Sequence, residues 1–229
     1  MRILALETST DTASCAFWRD GEVFFAECPP EFPQSSTLMP LARQIMADAE
    51  SELAQLDAVA FDAGPGAFTS LRVGCALAQG VALALGIPVV AIGSLECLAW
   101  QSKSENVLSL LDARMGEIYA GKFAREKEGV RPLCDVRLMK PEEIVFPECG
   151  GAAESWQIAG NALTAYPALE ARLKDFPRSA ARVPEAKTLA ELAALTLRRG
   201  GGVDPEFALP RYVRDKVAYT TAERALRAA

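Results

Sequence analysis

Apolar and polar residues alternate in short blocks over the first 27 residues of the chain. Ile3 to Leu6 form an apolar run that is followed by the polar sequence Glu7 to Asp11, and a second apolar run covers Ala13 to Trp18. The sequence Arg19-Asp20-Gly21 separates this run from a third one at Val23 to Glu27. Runs of this length with turn residues between them predict a strand, a polar turn and a hairpin.

The hydrophobic spacing changes from strand-like to helical near residue 36. Apolar residues recur at intervals of three and four residues up to Ala49, which predicts an amphipathic helix with Ser36 or Thr37 as its N-cap. Leu56 to Phe61 is then a short apolar strand. It ends in the loop Asp62-Ala63-Gly64-Pro65-Gly66, whose glycines and proline are typical of a turn.

The uncharged stretch from Val73 to Gly93 is long enough to be mistaken for a membrane span. The breaker Gly86-Ile87-Pro88 divides it, so a helix from about Thr69 to Leu85 and a strand at Val89 to Ile92 are the simpler interpretation. Small residues lie on two sides of this helix, namely Ser70, Gly74 and Ala78 on one and Ala76, Gly80 and Ala84 on the other. We therefore expect its backbone to approach its neighbours closely.

The second half of the chain opens with the same order of elements as the first. A strand at Val107 to Leu111, a polar turn at Asp112 to Gly116 and a returning strand at Glu117 to Phe123 resemble the N-terminal pattern. This repetition predicts two lobes, residues 1–103 and 104–229. The later elements predicted for the second lobe are strands at 133–138 and 156–159 and helices at 141–145, 163–174 and 188–199.

Composition limits the classes of function. The formal charge of −6 disfavours a protein that holds nucleic acid on its own phosphate-binding surface, although residues 198–229 carry seven basic and four acidic residues. The chain contains no histidine, which excludes Ser-His-Asp and Cys-His catalysis and histidine metal sites. Its six cysteines show no close pairing, so we interpret them as reduced thiols of a cytoplasmic protein, mostly packed in the core.

The sequence from Gly64 to Gly74, GPGAFTSLRVG, is the strongest motif of the chain. Its glycines allow backbone N–H groups to come near a ligand or another chain, and Thr69 is placed to cap a helix whose N-terminus attracts anions. From the residues alone, a phosphate-binding loop and a tightly packed turn are both open interpretations. No Gly-Lys-Ser/Thr follows, so the loop is not a Walker A motif.

This motif closely resembles the GPGSFTGLRIG signature of the TsaB (YeaZ) family. Further matches to that family follow in order along the chain: ILALETS at 3–9, Gln79-Gly80, Ile87-Pro88, DARMGEIY at 112–119 and PRYVR at 210–214. The resemblance therefore covers nearly the full length. Ala67 and Ser70 differ from the serine and glycine of the family signature, which leaves the detailed contacts of the loop open.

The resemblance implies an α/β fold of the duplicated actin-like, sugar-kinase and Hsp70 type, with a mixed sheet and flanking helices in each of two lobes. It also implies a role in forming N6-threonylcarbamoyladenosine next to the anticodon of tRNAs that read codons starting with A. In that family TsaB is the helper of its catalytic paralogue TsaD, the ATPase TsaE completes the complex, and we expect tRNA to be bound only through the complex.

The residues agree with a helper role. TsaD-type catalysis uses a metal held by histidines, and this chain has none; its first turn, Glu7-Thr8-Ser9-Thr10, also lacks the glycine of kinase-type phosphate turns. We therefore expect no catalytic residue, no metal and no cofactor of its own, with any nucleotide held at an interface shared with the partner. The alternative is a nucleotide-dependent small-molecule kinase or ATPase of the same superfold, whose Gly64 loop and Glu7 turn would hold nucleotide and metal.

The helices that begin near Ser36 and Thr69 carry more apolar surface than one core face requires, which predicts an association surface. The resemblance agrees, because TsaB proteins pair with TsaD, or with themselves in its absence, through these helices. The residues that we expect to bind the partner are Leu38, Leu41, Ile45, Met46, Ser70, Gly74 and Ala78. No element is expected to enter a membrane.

Two groups of polar residues keep alternative interpretations. Asp112 and Arg114 either contact a partner or nucleotide across the cleft or form an ion pair that stabilises a turn. Arg211, Tyr212 and Arg214 either contact a partner or RNA or dock the tail onto the protein.

Overall fold

The computed structural model describes residues 1–145 and 155–214. The strands are β1 (Arg2–Glu7), β2 (Ser14–Arg19), β3 (Glu22–Glu27), β4 (Ala58–Gly64), β5 (Val89–Gly93), β6 (Asn106–Asp112), β7 (Ile118–Glu126), β8 (Gly129–Pro132), β9 (Arg137–Met139) and β10 (Trp156–Ala159). The helices are α1 (Gln34–Asp48), α2 (Phe68–Leu85), α3 (Ser94–Ser102), α4 (Ala162–Ala165), α5 (Pro167–Arg172) and α6 (Ala186–Arg198). Short 3-10 turns lie at Leu53–Gln55, Pro141–Glu143 and Pro205–Phe207.

The first sheet has the strand order β3-β2-β1-β4-β5. Strands β1, β2 and β3 pair antiparallel, whereas β1, β4 and β5 run parallel. Successive residues of a strand point to opposite faces of the sheet. Leu4 and Leu6 pack in one core with α1 and α2, and Ile3 and Ala5 pack in another with α6. Because both faces are covered, β1 is an uninterrupted apolar run, as the sequence predicts.

Helix α2 alone, among the described helices, has the length and apolar composition that would allow a membrane span. In the structure one side of it, which includes Leu71, Cys75, Ala78 and Ala82, is buried in the lobe. The helix ends at Gly86, whose φ of 66° provides the left-handed conformation that closes many helices. The predicted helix, breaker and following strand are therefore confirmed.

The second sheet repeats the core of the first. Its order is β10-β6-β7-β8, with β9 also paired to β7. Strands β6 and β7 form an antiparallel hairpin, and β10 pairs parallel to β6 on the other side. The same arrangement relates β1, β2 and β4 in the first sheet. The duplicated actin-like, sugar-kinase and Hsp70 type of fold is thus confirmed by its topology.

Three predicted elements of the second lobe are wrong. The single helix expected at 163–174 is divided into α4 and α5, because Pro167 has no N–H and holds Tyr166 outside the helical region, at φ −128° and ψ 85°. The strand expected at 133–138 is absent as such, since β8 ends at Pro132 and β9 begins at Arg137. The helix expected at 141–145 is a 3-10 turn of three residues, Pro141–Glu143.

The predicted helix caps are also wrong. Helix α1 begins at Gln34, and the hydroxyls of Ser36 and Thr37 donate to the carbonyl of Pro33 rather than accepting from the helix. The N-cap of α2 is Ala67, so Thr69 lies inside its first turn. In neither helix does the N-cap side chain accept a hydrogen bond.

The division near residue 104 separates the two sheets, but later parts of the chain return to the first one. Leu189 and Ala190 of α6 pack in the core with Ile3, Ala5 and Ala60 of the first sheet. The Ala186 N–H also donates to the Ser14 hydroxyl at 3.0 Å. The first lobe is therefore built from both ends of the described chain. Residues 146–154 and 215–229 of the predicted second lobe lie outside the described residues.

Candidate functional site

Two carboxyl groups lie at the carboxyl ends of adjacent parallel strands, Glu7 on β1 and Asp62 on β4. Glu7 Oε1 accepts hydrogen bonds from the backbone N–H and the hydroxyl of Ser9, each 2.6 Å long. Asp62 Oδ1 accepts from the Ser94 hydroxyl at 2.5 Å and from the Gly64 N–H at 2.7 Å. Both side chains are fully buried, and the second oxygen of each has no hydrogen-bond partner in the described residues.

Burial raises the pKa of both groups. For Glu7, burial is the larger cause and repulsion by Asp62 adds to it, so its pKa lies well above the ordinary value. Burial raises the pKa of Asp62 to about 6, although hydrogen bonds from Ser94 and Gly64 oppose this shift. Both groups therefore ionise less readily than ordinary carboxyl groups, and a divalent cation of the kind that phosphoryl transfer requires binds the ionised form.

The loop Gly64 to Gly66 and helix α2 pack directly on the turn that follows β1. A Cβ atom added to Gly66 would lie 2.4 Å from the carbonyl oxygen of Ser9, and one added to Gly74 would lie 2.5 Å from Thr8 Oγ1. The Ala67 N–H also donates to the Ser9 carbonyl at 2.8 Å. Gly66 and Gly74 therefore permit close packing, which favours the tightly packed turn over the phosphate-binding loop.

A small cleft separates the turn after β1 from the turn after β6. Its walls include Asp11 on the first lobe and Asp112 and Arg114 on the second. Its volume of about 80 Å³ is well below the ~300–1,000 Å³ of typical small-molecule sites. Arg114 forms ion pairs with Asp11 across the cleft and, at 3.7 Å, with Asp112 in its own turn. The ion-pair interpretation of Asp112 and Arg114 is thus confirmed, and Arg114 also joins the lobes.

The segment 205–214, which we call the C-terminal strap, runs along α2 and then reaches the second lobe. Gln79 of α2 donates to the carbonyls of Pro205 and Ala208, each at 3.0 Å. The Arg211 N–H donates to the Ala63 carbonyl at 2.7 Å, and Arg214 Nη2 donates to the Ala113 carbonyl at 2.8 Å. The docking interpretation therefore applies to Arg214. Docking of the strap does not account for the positions of the Arg211 and Tyr212 side chains.

Removal of Arg214 should loosen the strap from the second lobe. Its guanidinium lies 2.9 Å from the Glu117 carboxylate, and the two side chains are only 11% and 27% exposed. We expect Arg214→Ala to lower the free energy of unfolding by about 2 kcal/mol, because it leaves the Glu117 charge partly buried without its partner. Urea unfolding measures the change.

Arg131→Ala is the matched control for this variant. Arg131 pairs with Glu126 at 2.8 Å, but it is 57% exposed, and exposed pairs contribute up to about 1 kcal/mol. If both variants lose the same small amount, the Arg214 pair does not hold the strap.

The structure places most of the predicted partner-binding residues in the core. Five of the seven are buried, namely Leu38, Ile45, Met46, Gly74 and Ala78, and Leu41 and Ser70 are half-buried. The five cannot contact a partner while the lobe keeps this fold, so this part of the prediction is corrected. The exposed side of α2 instead carries the second set of small residues, Ala76, Gly80 and Ala84, together with Leu83, which is 72% exposed.

Sequence reasoning did not find the Glu7–Asp62 pair or the contacts of the strap. Asp62 gave a weak signal, as a charged residue that directly follows an apolar strand. Tyr212 lies 140 residues from Arg72, to which it is hydrogen bonded, and no local pattern joins positions so far apart in the chain.

Comparisons of this sequence with known proteins agree with one another on the family. The TsaD family model, described as tRNA N6-adenosine threonylcarbamoyltransferase, matches residues 34–222. A tRNA threonylcarbamoyladenosine biosynthesis protein TsaB from Escherichia coli is 31% identical over 229 residues, which cover 96% of this chain and 97% of the relative. The TsaB protein from Haemophilus influenzae is 37% identical over 131 residues, 56% of each chain.

A solved structure gives the same result in three dimensions. YeaZ from Pseudomonas aeruginosa has a TM-score of 0.79 and 32% sequence identity with this chain, and the match covers 92% of this chain and 99% of that one. The TsaD family model also matches most of the chain. Because sequence and fold agree over nearly the whole length, the chain belongs to the TsaB (YeaZ) family.

Proposed function

We propose that this chain is a non-catalytic subunit in the formation of N6-threonylcarbamoyladenosine on tRNAs that read codons starting with A. It acts as a scaffold and activator that binds a TsaD-like catalytic paralogue, and a TsaE-like ATPase completes the complex. The E. coli relative is named for tRNA threonylcarbamoyladenosine biosynthesis and matches over 97% of its length, which supports the same process for this chain. The complex is cytoplasmic, and tRNA reaches this subunit only within it.

The turn after β1 is tightly packed at Thr8 and Ser9, and we call it the filled turn. This packing is the observation that supports the non-catalytic role. Thr8 and Ser9 are buried against Gly74 and Gly66, so closely that even a Cβ atom added to either glycine would clash with them. Glu7 is directed into the lobe, where burial favours its neutral form. A kinase or ATPase would need an open turn and an ionised carboxylate at this position. The proposal therefore gives the chain no cofactor of its own and leaves any nucleotide to the interface with the partner.

Reconstitution of the modification reaction tests this role. We expect the isolated chain to show no transfer to tRNA, no ATP turnover and no stoichiometric metal. The complete mixture with the TsaD-like and TsaE-like proteins should modify tRNA, and it should lose that activity when this chain is left out. ATP turnover by the isolated chain would instead favour the small-molecule kinase or ATPase.

The exposed side of α2 is the partner surface that we propose. Helices α1 and α2 cover the same face of the first sheet, so their outer sides form one continuous surface. Ala76, Gly80 and Ala84 leave room for a partner backbone, and Leu83 supplies an exposed apolar side chain beside them. The same surface pairs with the catalytic paralogue or, in its absence, with a second copy of this chain.

Leu83→Glu should weaken this association at least ~10-fold, because it places a charge in an apolar contact. Size-exclusion chromatography with light scattering and pull-down of the TsaD-like partner measure the effect. Leu133→Glu is the control, since Leu133 is exposed on the second lobe and is 38% accessible. Unchanged assembly of the folded Leu83 variant would place the interface elsewhere.

A further inference from the structure

A second cavity lies beside the N-terminus of α2, between the two lobes and the C-terminal strap. Its volume is about 200 Å³. Aromatic rings and arginines contribute to its walls, and we call it the aromatic-arginine pocket: Phe68, Arg114, Tyr119, Arg211 and Tyr212, with Arg72 at its rim. None of the packing described for the filled turn or for the partner surface accounts for this set of side chains.

The aromatic part of the pocket is held in a fixed geometry. The rings of Phe68 and Tyr212 have centroids 5.1 Å apart. The Arg72 guanidinium lies 3.9 Å from the Phe68 centroid, and its Nε donates to the Tyr212 hydroxyl at 3.0 Å. Tyr212 nevertheless remains 47% exposed. An exposed aromatic ring that is fixed by a neighbouring arginine is a platform on which a nucleobase can stack.

The charged part of the pocket favours an anion. Arg114 and Arg214 are paired with carboxylates, but Arg72 and Arg211 form no ion pair within residues 1–145 and 155–214. The N-cap of α2, Ala67, offers no side-chain acceptor to the first-turn N–H groups, and Ala67 and Phe68 line this end of the cavity. Arg211, in the wall of the cavity, and Arg72, whose Nε is hydrogen bonded to Tyr212, thus lie without an ion pair near the N-terminus of α2 and an aromatic ring.

We propose that the aromatic-arginine pocket binds one unpaired nucleotide of RNA, with its base on Tyr212 and its phosphate between Arg72, Arg211 and the first turn of α2. The volume is below the ~300 Å³ at which whole small-molecule ligands are usually enclosed, so a base fits while its backbone stays outside. This inference rests on the proposed function only for the choice of RNA. It gives the subunit a direct contact with tRNA: the isolated chain should bind a short unpaired RNA weakly through this pocket, whereas stable binding of whole tRNA requires the complex.

Binding of the full chain to a fluorescently labelled single-stranded RNA pentanucleotide tests the pocket, with anisotropy as the readout at low and high salt. Tyr212→Ala should weaken binding about 5-fold or more, whereas Tyr212→Phe should retain it because the ring remains. Arg211→Glu should weaken binding more at low salt than at high salt. Arg43→Ala, an exposed arginine of α1, is the control and should change nothing.

The Arg211→Glu variant also guards against misfolding, since the Arg211 side chain is exposed and its replacement should leave the melting temperature unchanged. Absence of RNA binding by the parent, or equal binding by all variants, would overturn the inference. Competition by AMP at the same concentration as RNA would assign the pocket to a free nucleotide instead. If the parent binds no RNA, and Tyr212→Ala or Arg211→Glu abolishes pull-down of the TsaD-like partner, the pocket is a protein contact instead. Failure of the scaffold role appears separately, as unchanged tRNA modification when the chain is omitted.

Discussion

Replacing Gly74 with valine should lower the free energy of unfolding by about 3 kcal/mol or more. The first side-chain carbon alone would lie 2.5 Å from Thr8 Oγ1 and 3.4 Å from Thr8 Cγ2. Thr8 is fully buried in the turn after β1 and cannot move into solvent. Helix α2 must therefore move away from the turn, which opens the core beneath it. Thermal or urea unfolding of the purified variant measures the loss.

Gly80→Val is the matched control on the same helix. A Cβ atom on Gly80 meets nothing within 4 Å, and the gain in helix propensity over glycine is the same at both positions. We expect this variant to stay within about 0.5 kcal/mol of the parent, provided that protein concentration is fixed, because Gly80 lies on the proposed association surface. A Gly74 variant as stable as the Gly80 variant would show that α2 does not depend on this contact.

The contrast between these two glycines explains which part of the site the sequence could predict. The existence and length of α2 follow from its apolar composition and from Gly86 and Pro88 at its end. Its orientation does not, because small residues lie on both sides and either side could face the sheet. The deciding contact is Thr8, which belongs to a turn 66 positions away in the chain. Only the assembled fold brings the two together.

The position of α6 and the partner of Arg214 were missed for the same reason, because both depend on contacts that are distant in sequence. The duplicated strand order was predictable because each half repeats a local pattern of strand, turn and hairpin. The return of α6 to the first sheet was not, since its apolar stripe fits any core of suitable size. Likewise, Arg214 gives no local sign that its partner is Glu117 in the other lobe rather than a nucleic acid.

The buried carboxyl pair should make the protein more stable in mild acid than at neutral pH, as far as Glu7 and Asp62 are concerned. A raised pKa means that the folded state keeps its proton to higher pH than the unfolded state does. The free energy of unfolding then falls as pH rises between the ordinary value of 3.8 and the folded value of about 6 for Asp62. The gap between these values corresponds to about 3 kcal/mol. Glu7 contributes with the same sign.

Asp62→Asn should remove this pH dependence, because the amide cannot ionise while its oxygen can still accept from Ser94 and Gly64. The stability of the variant relative to the parent should therefore rise by up to about 3 kcal/mol between pH 4 and pH 7. Any constant cost of the amide cancels in this difference, as do the titrating groups that Asp62 does not influence. Loss of the Asp62 charge also removes the repulsion that helps to raise the pKa of Glu7.

Urea unfolding of both proteins at half-unit steps of pH gives the difference curve, with Asp175→Asn as the control. Asp175 is exposed, so its replacement should leave the free energy of unfolding close to that of the parent at every pH. A difference curve for Asp62→Asn that stays flat from pH 4 to pH 7 would mean that Asp62 is already ionised in the folded protein at pH 4. In that case a charged carboxylate would lie at the end of β4, and burial would not have made Asp62 unsuitable as a metal ligand.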